Sequence, residues 1–204
     1  LRSLRLVGRA RHGFIPNRPS PLVASSRLVL QMSRVACAVL ALLAFVALLI
    51  VQANLPWADR EESGFGASAK ATIRTWDLHS EGSFFGASGS DSKGWYDDGW
   101  NDSQQNAVMQ LQIAAPLLLA SAVILLVGAI LSFAARGSAG SIVTLIGGVL
   151  AGAAVLLFFL ASQDLLDNKA TWMAGFYVGL GGAILGLVGG VIGLAGGNMR
   201  GSSN

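Results

Sequence analysis

The stretch LQIAAPLLLASAVILLVGAILSFAARGSAGSIVTLIGGVLAGAAVLLFFLA, residues Leu111–Ala161, decides the fold. From Ser103 to Gln163 the only charged side chain is Arg136. Residues 111–135 and 142–161 each approach the ~20 apolar residues that cross a ~30 Å hydrocarbon core at 1.5 Å per residue. Between them lie Arg136-Gly137-Ser138-Ala139-Gly140-Ser141, a short glycine-bearing turn with one cation. This is a membrane hairpin, and the positive-inside bias puts its turn, residues 136–141, in the cytoplasm.

That assignment orients everything outward from it. The 204 residues are 53% hydrophobic and only 12% charged, with a mean hydropathy of +0.59, outside the soluble globular range. The formal charge is +7 over residues 1–34, −5 over 54–110, +1 at Arg136, −1 over 162–171 and +1 at Arg200. The sign alternates with the spans, so the basic pI reports topology and nucleic acid is not an expected partner. A single cysteine, Cys37, excludes an intrachain disulfide or a cysteine zinc cluster.

Upstream, residues 1–34 form a basic leader or cytoplasmic tail that reads as disordered. Residues 1–31 lack acids and resemble either an organellar transit peptide or translated upstream sequence with the start at Met32, the preferred reading. A basic tail drawn to anionic lipid is the third possibility. Val35–Val51 is an unbroken run of seventeen apolar residues, longer than a usual signal-peptide core. An uncleaved first span over residues 35–53 is therefore preferred to a cleaved signal.

Residues 54–110 carry nine acids, four bases and four of the five tryptophans, and form the exoplasmic loop domain. Alternation over Ala69–Leu78 suggests one strand, and Gly82-Ser83-Phe84-Phe85-Gly86 could begin another. Gly86–Gly94 reads as a flexible loop. The region is too small for a core of its own, so a partly β cap resting on the helix ends is expected. Ser103–Gln112 should extend the second helix beyond the membrane. Residues 162–171 make a short exoplasmic turn, a fourth span covers 172–197, and 198–204 is a cytoplasmic tail. Trp57 and Trp172 then fall at the outer interface, where indoles accumulate.

Glycines repeat every four residues in the last two spans: Gly148 and Gly152, Gly175 and Gly179, Gly182, Gly186 and Gly190, and Gly193 after Gly189. Such ladders let helix backbones approach closely where lipid removes any hydrophobic drive. They pack either the chain's own helices or a homo-oligomer seam. No span has an ionisable residue in its apolar centre, which disfavours a pump or coupled transporter. His79 has no metal-spaced partner. Asp91, Asp97, Asp98, Asn101 and Asp102 crowd together but do not match a calcium loop. No nucleophile, base and orienting group recur at usable spacing, so neither enzyme activity, metal nor cofactor is expected. Asn101-Asp102-Ser103 fits a glycosylation acceptor.

Four spans with both ends inside and a large first outer loop, together with Leu55-Pro56-Trp57 and either Gly94-Trp95 or Gly99-Trp100, resemble the claudin and peripheral-myelin-protein superfamily. The pair of loop cysteines that the superfamily carries is absent. The resemblance implies a β-sheet from the first outer loop on a left-handed four-helix bundle, and a role in adhesion or in regulating other membrane proteins. The expectation is thus an all-α integral membrane protein of the plasma membrane, with a four-helix bundle and a small, partly β outer domain. Its role would be structural, interactive or as an accessory subunit, with a channel or transporter component as the alternative. Trp76, Phe84, Phe85, Trp95 and Trp100 are the candidate contacts for a membrane-protein partner or a second copy.

Overall fold

The computed structural model describes residues 21–53, 55–134 and 138–198. Nine elements follow in order: α1 (Pro21–Gln52), β1 (Ala58–Gly64), β2 (Ala67–Ile73), β3 (Asp77–Phe84), β4 (Ala87–Gly94), α2 (Asp102–Ala134), α3 (Ala139–Leu165), β5 (Thr171–Trp172) and α4 (Ala174–Asn198). Each of the four helices holds a segment long and apolar enough to cross a membrane: Gln31–Gln52, Asp102–Ala134, Ala139–Leu165 and Ala174–Gly196. Large aliphatic side chains such as Leu43, Val123, Leu156 and Val191 point outward all round the bundle, the distribution expected of helices solvated by lipid.

The helices form a ring in which α1 packs on α2 and α4, and α3 also packs on α2 and α4, with little contact across the α1–α3 diagonal. Consecutive helices run antiparallel. Along α2 and α3, Ser132 lies by Gly140, Gly128 by Thr144 and Leu125 by Gly147, so rising numbers on one helix meet falling numbers on the other.

Glycines set the spacing at most of these crossings. A Cβ on Gly148 would lie 2.6 Å from the backbone nitrogen of Leu187, one on Gly190 2.7 Å from Cα of Leu145, and one on Gly186 3.0 Å from Cα of Gly148. Gly182 faces Leu48 of α1, Gly193 faces Ser141 and Cys37, and Gly179 holds the ring of Trp57. Gly175 lies against the carbonyls of Leu55 and Pro56. Gly152 differs, having nothing within 4 Å of where its Cβ would stand, so the ladder reading does not extend to it.

Small polar residues tie the bundle at the end away from the sheet. The Cys37 sulfur lies 3.6 Å from Ser132 Oγ and donates to Thr144 Oγ1 at 3.9 Å. Both hydroxyls bond back to carbonyls one turn earlier, Ser132 to Gly128 and Thr144 to Gly140, which satisfies them without water.

At the other end, five strands form one antiparallel sheet in the order β4-β3-β2-β1-β5. Here the sequence-based expectation needs correcting. Ala69–Leu78 is not one strand; it is interrupted at Arg74-Thr75-Trp76, where the chain reverses from β2 to β3. Gly82–Gly86 ends β3 and enters a turn, and Gly86–Gly94 is mostly strand β4, paired with β3 from Asp77↔Gly94 to Phe84↔Ala87. Serine and glycine give such a strand little side-chain packing, but the backbone ladder needs none.

Three helix boundaries also move. α1 begins at Pro21, inside the leader read as disordered: residues 22–52 contain neither glycine nor a second proline, so each further residue adds a hydrogen bond to an existing helix. Residues 1–20 of that leader lie outside the described residues, as do Arg136 and residues 199–204 of the tail. α3 continues to Leu165, four residues past the expected end at 161. Trp172 belongs to β5, with α4 starting two residues later, so the turn expected over 162–171 contributes a fifth strand.

Candidate interaction surface at the tip of the sheet

The tryptophans fasten the sheet to the bundle. Trp57 is fully buried, stacks on Phe158 of α3 at 4.2 Å and 6°, and donates Nε1–H to Thr75 Oγ1 at 3.1 Å. The Thr75 hydroxyl donates in turn to the Val51 carbonyl at the end of α1, at 2.8 Å. The Thr75 carbonyl accepts from Trp95 Nε1 at 3.0 Å. One buried residue of the β2–β3 turn therefore joins α1, Trp57 and Trp95. Because Trp57, Thr75 and Trp95 are fully buried, these bonds are hard to replace.

α2 supplies the other half of the fastening. Pro116 inside α2 has no N–H, which frees the Gln112 carbonyl one turn earlier. Tyr96 fills it, donating its hydroxyl at 2.8 Å, while Gln112 Nε2 donates to the Trp95 carbonyl at 2.7 Å. Trp100 stacks on Trp95 at 5.8 Å with Lys93 Nζ 4.4 Å over its ring, and Trp76 packs partly buried against the same cluster.

On the opposite side of the sheet, Arg60 of β1 holds the α3–β5 turn. It donates to Asp167 Oδ2 at 2.6 Å, to the Leu166 carbonyl at 3.4 Å and to Glu62. The hydrogen bonds to Asp167 and Glu62 raise the guanidinium above its ordinary range. The hydrogen bond from Arg60, with its charge, holds the Glu62 carboxyl below the usual carboxylate range. Trp172 then stacks on Phe159 and Phe176, each at 4.8 Å.

These fastenings redistribute the five aromatic residues singled out in the sequence. Trp95 is fully buried and has no surface for a partner; Trp76 and Trp100 are mostly taken up by the core cluster. Phe84 and Phe85 remain open, 64% and 76% exposed. Trp57, just past the end of α1, is buried within the protein, because Gly179 and Phe158 leave a slot that its ring fills.

Sequence reasoning missed a third exposed aromatic, Phe65, whose side chain is 103% exposed. The signal was present. Residues 61–68 and 81–88 match at a spacing of twenty: Glu61/Glu81, Ser63/Ser83, Phe65/Phe85, Gly66/Gly86, Ala67/Ala87 and Ser68/Ser88. The structure shows why. Both segments are ends of two-residue hairpins, closed by Gly64↔Ala67 and Phe84↔Ala87. Phe65 and Gly66 have φ of 49° and 77°, and Phe85 and Gly86 45° and 88°, the positive pair of a type I′ turn.

Glycine takes the second position of each turn without strain, but the first favours Asn, Asp or Gly. A bulky residue there costs on the order of 1–2 kcal/mol. The two turns touch: the Phe85 N–H donates to the Gly66 carbonyl at 3.1 Å, the Phe85 ring covers Gly66, and Phe84 meets Phe85 edge-on at 4.6 Å. Phe84 and Phe85 thus stand in contact, with Phe65 projecting from the adjoining turn, at the end of the sheet farthest from Trp57 and Trp95.

Behind them, one face of the sheet is polar. The cross-strand rows Ser63–Ser68–Ser83–Ser88 and Glu61–Lys70–Glu81–Ser90 lie on it, over a shallow depression of about 420 Å³. Lys70 pairs with Asp59 at 3.4 Å, and His79 with Glu81 at 3.1 Å. Among the described residues no group of three His, Cys, Asp or Glu side chains could hold a metal ion. Asp97 and Asp91 instead accept the backbone N–H groups of Gly94 and Ser92.

Fold and surface together define a class: a bundle of four helices of membrane-spanning length and apolarity, carrying an antiparallel sheet with an aromatic tip. No protein-family model matches the chain, and no curated protein matches it either.

Proposed function

We propose that this is a non-enzymatic, polytopic plasma-membrane protein with a structural, interaction or accessory-subunit role, both termini in the cytoplasm and the sheet outside. The observation that carries the reading is the contrast within the outer domain. Its tryptophans are spent on fixing the sheet to the helices, whereas Phe65, Phe84 and Phe85 are held out in solvent, Phe65 and Phe85 at positive-φ turn positions that disfavour them. Exposed aromatic clusters on soluble surfaces mark contact sites. Sheet-on-bundle architecture and Leu55-Pro56-Trp57 support a claudin-like adhesion or regulatory role within the same proposal. The glycine contacts favour packing within one chain over a homo-oligomer seam, since the ladder faces are already occupied.

The test is reconstitution of the purified protein followed by flux measurements, beside co-purification from native membrane. Recovery of a stoichiometric partner with no solute or ion flux is the expected result. Clear flux by the protein alone would replace the proposal with a channel or transporter.

A further inference from the structure

We propose that the Phe65–Phe84–Phe85 tip is a membrane-docking device that inserts into the neutral surface of a second, apposed bilayer. The inference rests on the interaction reading above and names its partner. Four observations carry it.

First, Phe65 and Phe85 are retained against the preference of their own turns, at the same register in both hairpins, so turn formation does not explain them. Second, the tip has no charged side chain: between Ser63 and Ser68, and between Ser83 and Ser88, every residue is Gly, Ala or Phe. A shaped protein pocket is matched by directional polar groups, whereas the acyl boundary of a bilayer requires only apolar area. Third, area separates the occupants. Three phenylalanines offer on the order of 450–750 Å² even when fully covered, short of the ~800 Å² per partner that a stable protein interface buries. Interfacial insertion has no such minimum and is multiplied when many copies share one membrane. Fourth, Glu61, Glu62 and Glu81 stand within four residues behind the tip with cations among them, Arg60 paired with Glu62 and Lys70 opposite Glu61 and Glu81 in the cross-strand row. That balance suits zwitterionic lipid over anionic lipid. The bilayer is an apposed one because the tip is the free end of strands whose other end is pinned to the bundle by Trp57, Ile73 and Trp95.

The experiment places the full chain in phosphatidylcholine nanodiscs and passes it over immobilised, protein-free phosphatidylcholine vesicles. Wild-type discs should bind well above empty discs. The double variant Phe65→Asn/Phe85→Asn should bind at least tenfold less while its melting temperature stays level or rises, because Asn accepts the positive φ that Phe resists. The proposal is overturned by no binding above empty discs, by unchanged binding of the variant, or by a fall in its melting temperature, which would make the rings structural. It is equally overturned if binding appears only when the vesicles carry the protein, which would name a second copy as occupant. Any of these leaves the co-purification test of the wider reading independent.

Discussion

Individual side chains divide into those that hold the outer domain and those it displays, and burial separates them where residue type does not. Trp57 and Phe65 are both large aromatics of the same segment, yet one is sealed between Phe158 and Gly179 and the other is fully in solvent. Thr75 shows how much can depend on one hydroxyl. It accepts from Trp57 and donates to Val51 inside a dry core. Thr75→Val keeps the shape and strands both partners, so stability should fall by about 1–3 kcal/mol, read as a lower melting temperature in detergent. The glycines allow a sharper contrast. Gly190→Leu would drive a side chain into the Leu145 backbone and should abolish the folded monomer, whereas Gly152→Leu enters open space and should leave the melting profile near wild type. Loss of folding in both would mean that Gly152 is packed after all.

Among the elements, the short β5 strand and the α3–β5 turn have the weakest hold. Two residue pairs join β5 to β1, Trp172 stacks on Phe159, and the turn before β5 is held by the Arg60 clamp. Its pH dependence has a definite sign. Glu62 is held below its ordinary range, so its contribution is complete at neutral pH and is lost as pH falls through that lowered value. Arg60 is raised, so its contribution is present throughout and disappears only in extreme alkali. Acid is therefore the accessible direction. Amide hydrogen exchange in residues 166–172 should quicken, at constant intrinsic rate, below the ordinary carboxylate range of about 4.3, with the helices unaffected. Arg60→Ala should show the quickened exchange already at neutral pH. Both carboxylates are largely exposed, so global stability should change little.

At the scale of the whole molecule, antiparallel helices and a sheet at one end give a polar arrangement that a bilayer can orient. Ser138, at the start of α3, and the sheet stand at opposite ends of the bundle. A cysteine placed at Ser88 should react with a membrane-impermeant maleimide added outside intact cells, and one at Ser138 should react only after permeabilisation. Both positions are exposed, so reactivity reports side and not burial. The reverse pattern would invert the topology and with it the outward placement of the tip.

The four apolar runs, the four-residue glycine spacing and the charge alternation could be read from the sequence alone, because length and composition suffice to say that a helix can cross lipid. The sheet was only half legible. Its strands are built from Gly, Ser, Ala and charged residues whose alternation is weak, and Gly86–Gly94 becomes a strand only because β3 lies beside it. The candidate surface was less legible still. Exposure is a property of the packed chain, and only tertiary contacts decided that Trp95 and Trp57 lie inside while Phe84 and Phe85 lie outside. Phe65 could have been found from the twenty-residue repeat, yet its meaning required the two positive-φ turns to be seen side by side. What a residue is follows from the sequence; whether it faces water follows from which other elements close over it.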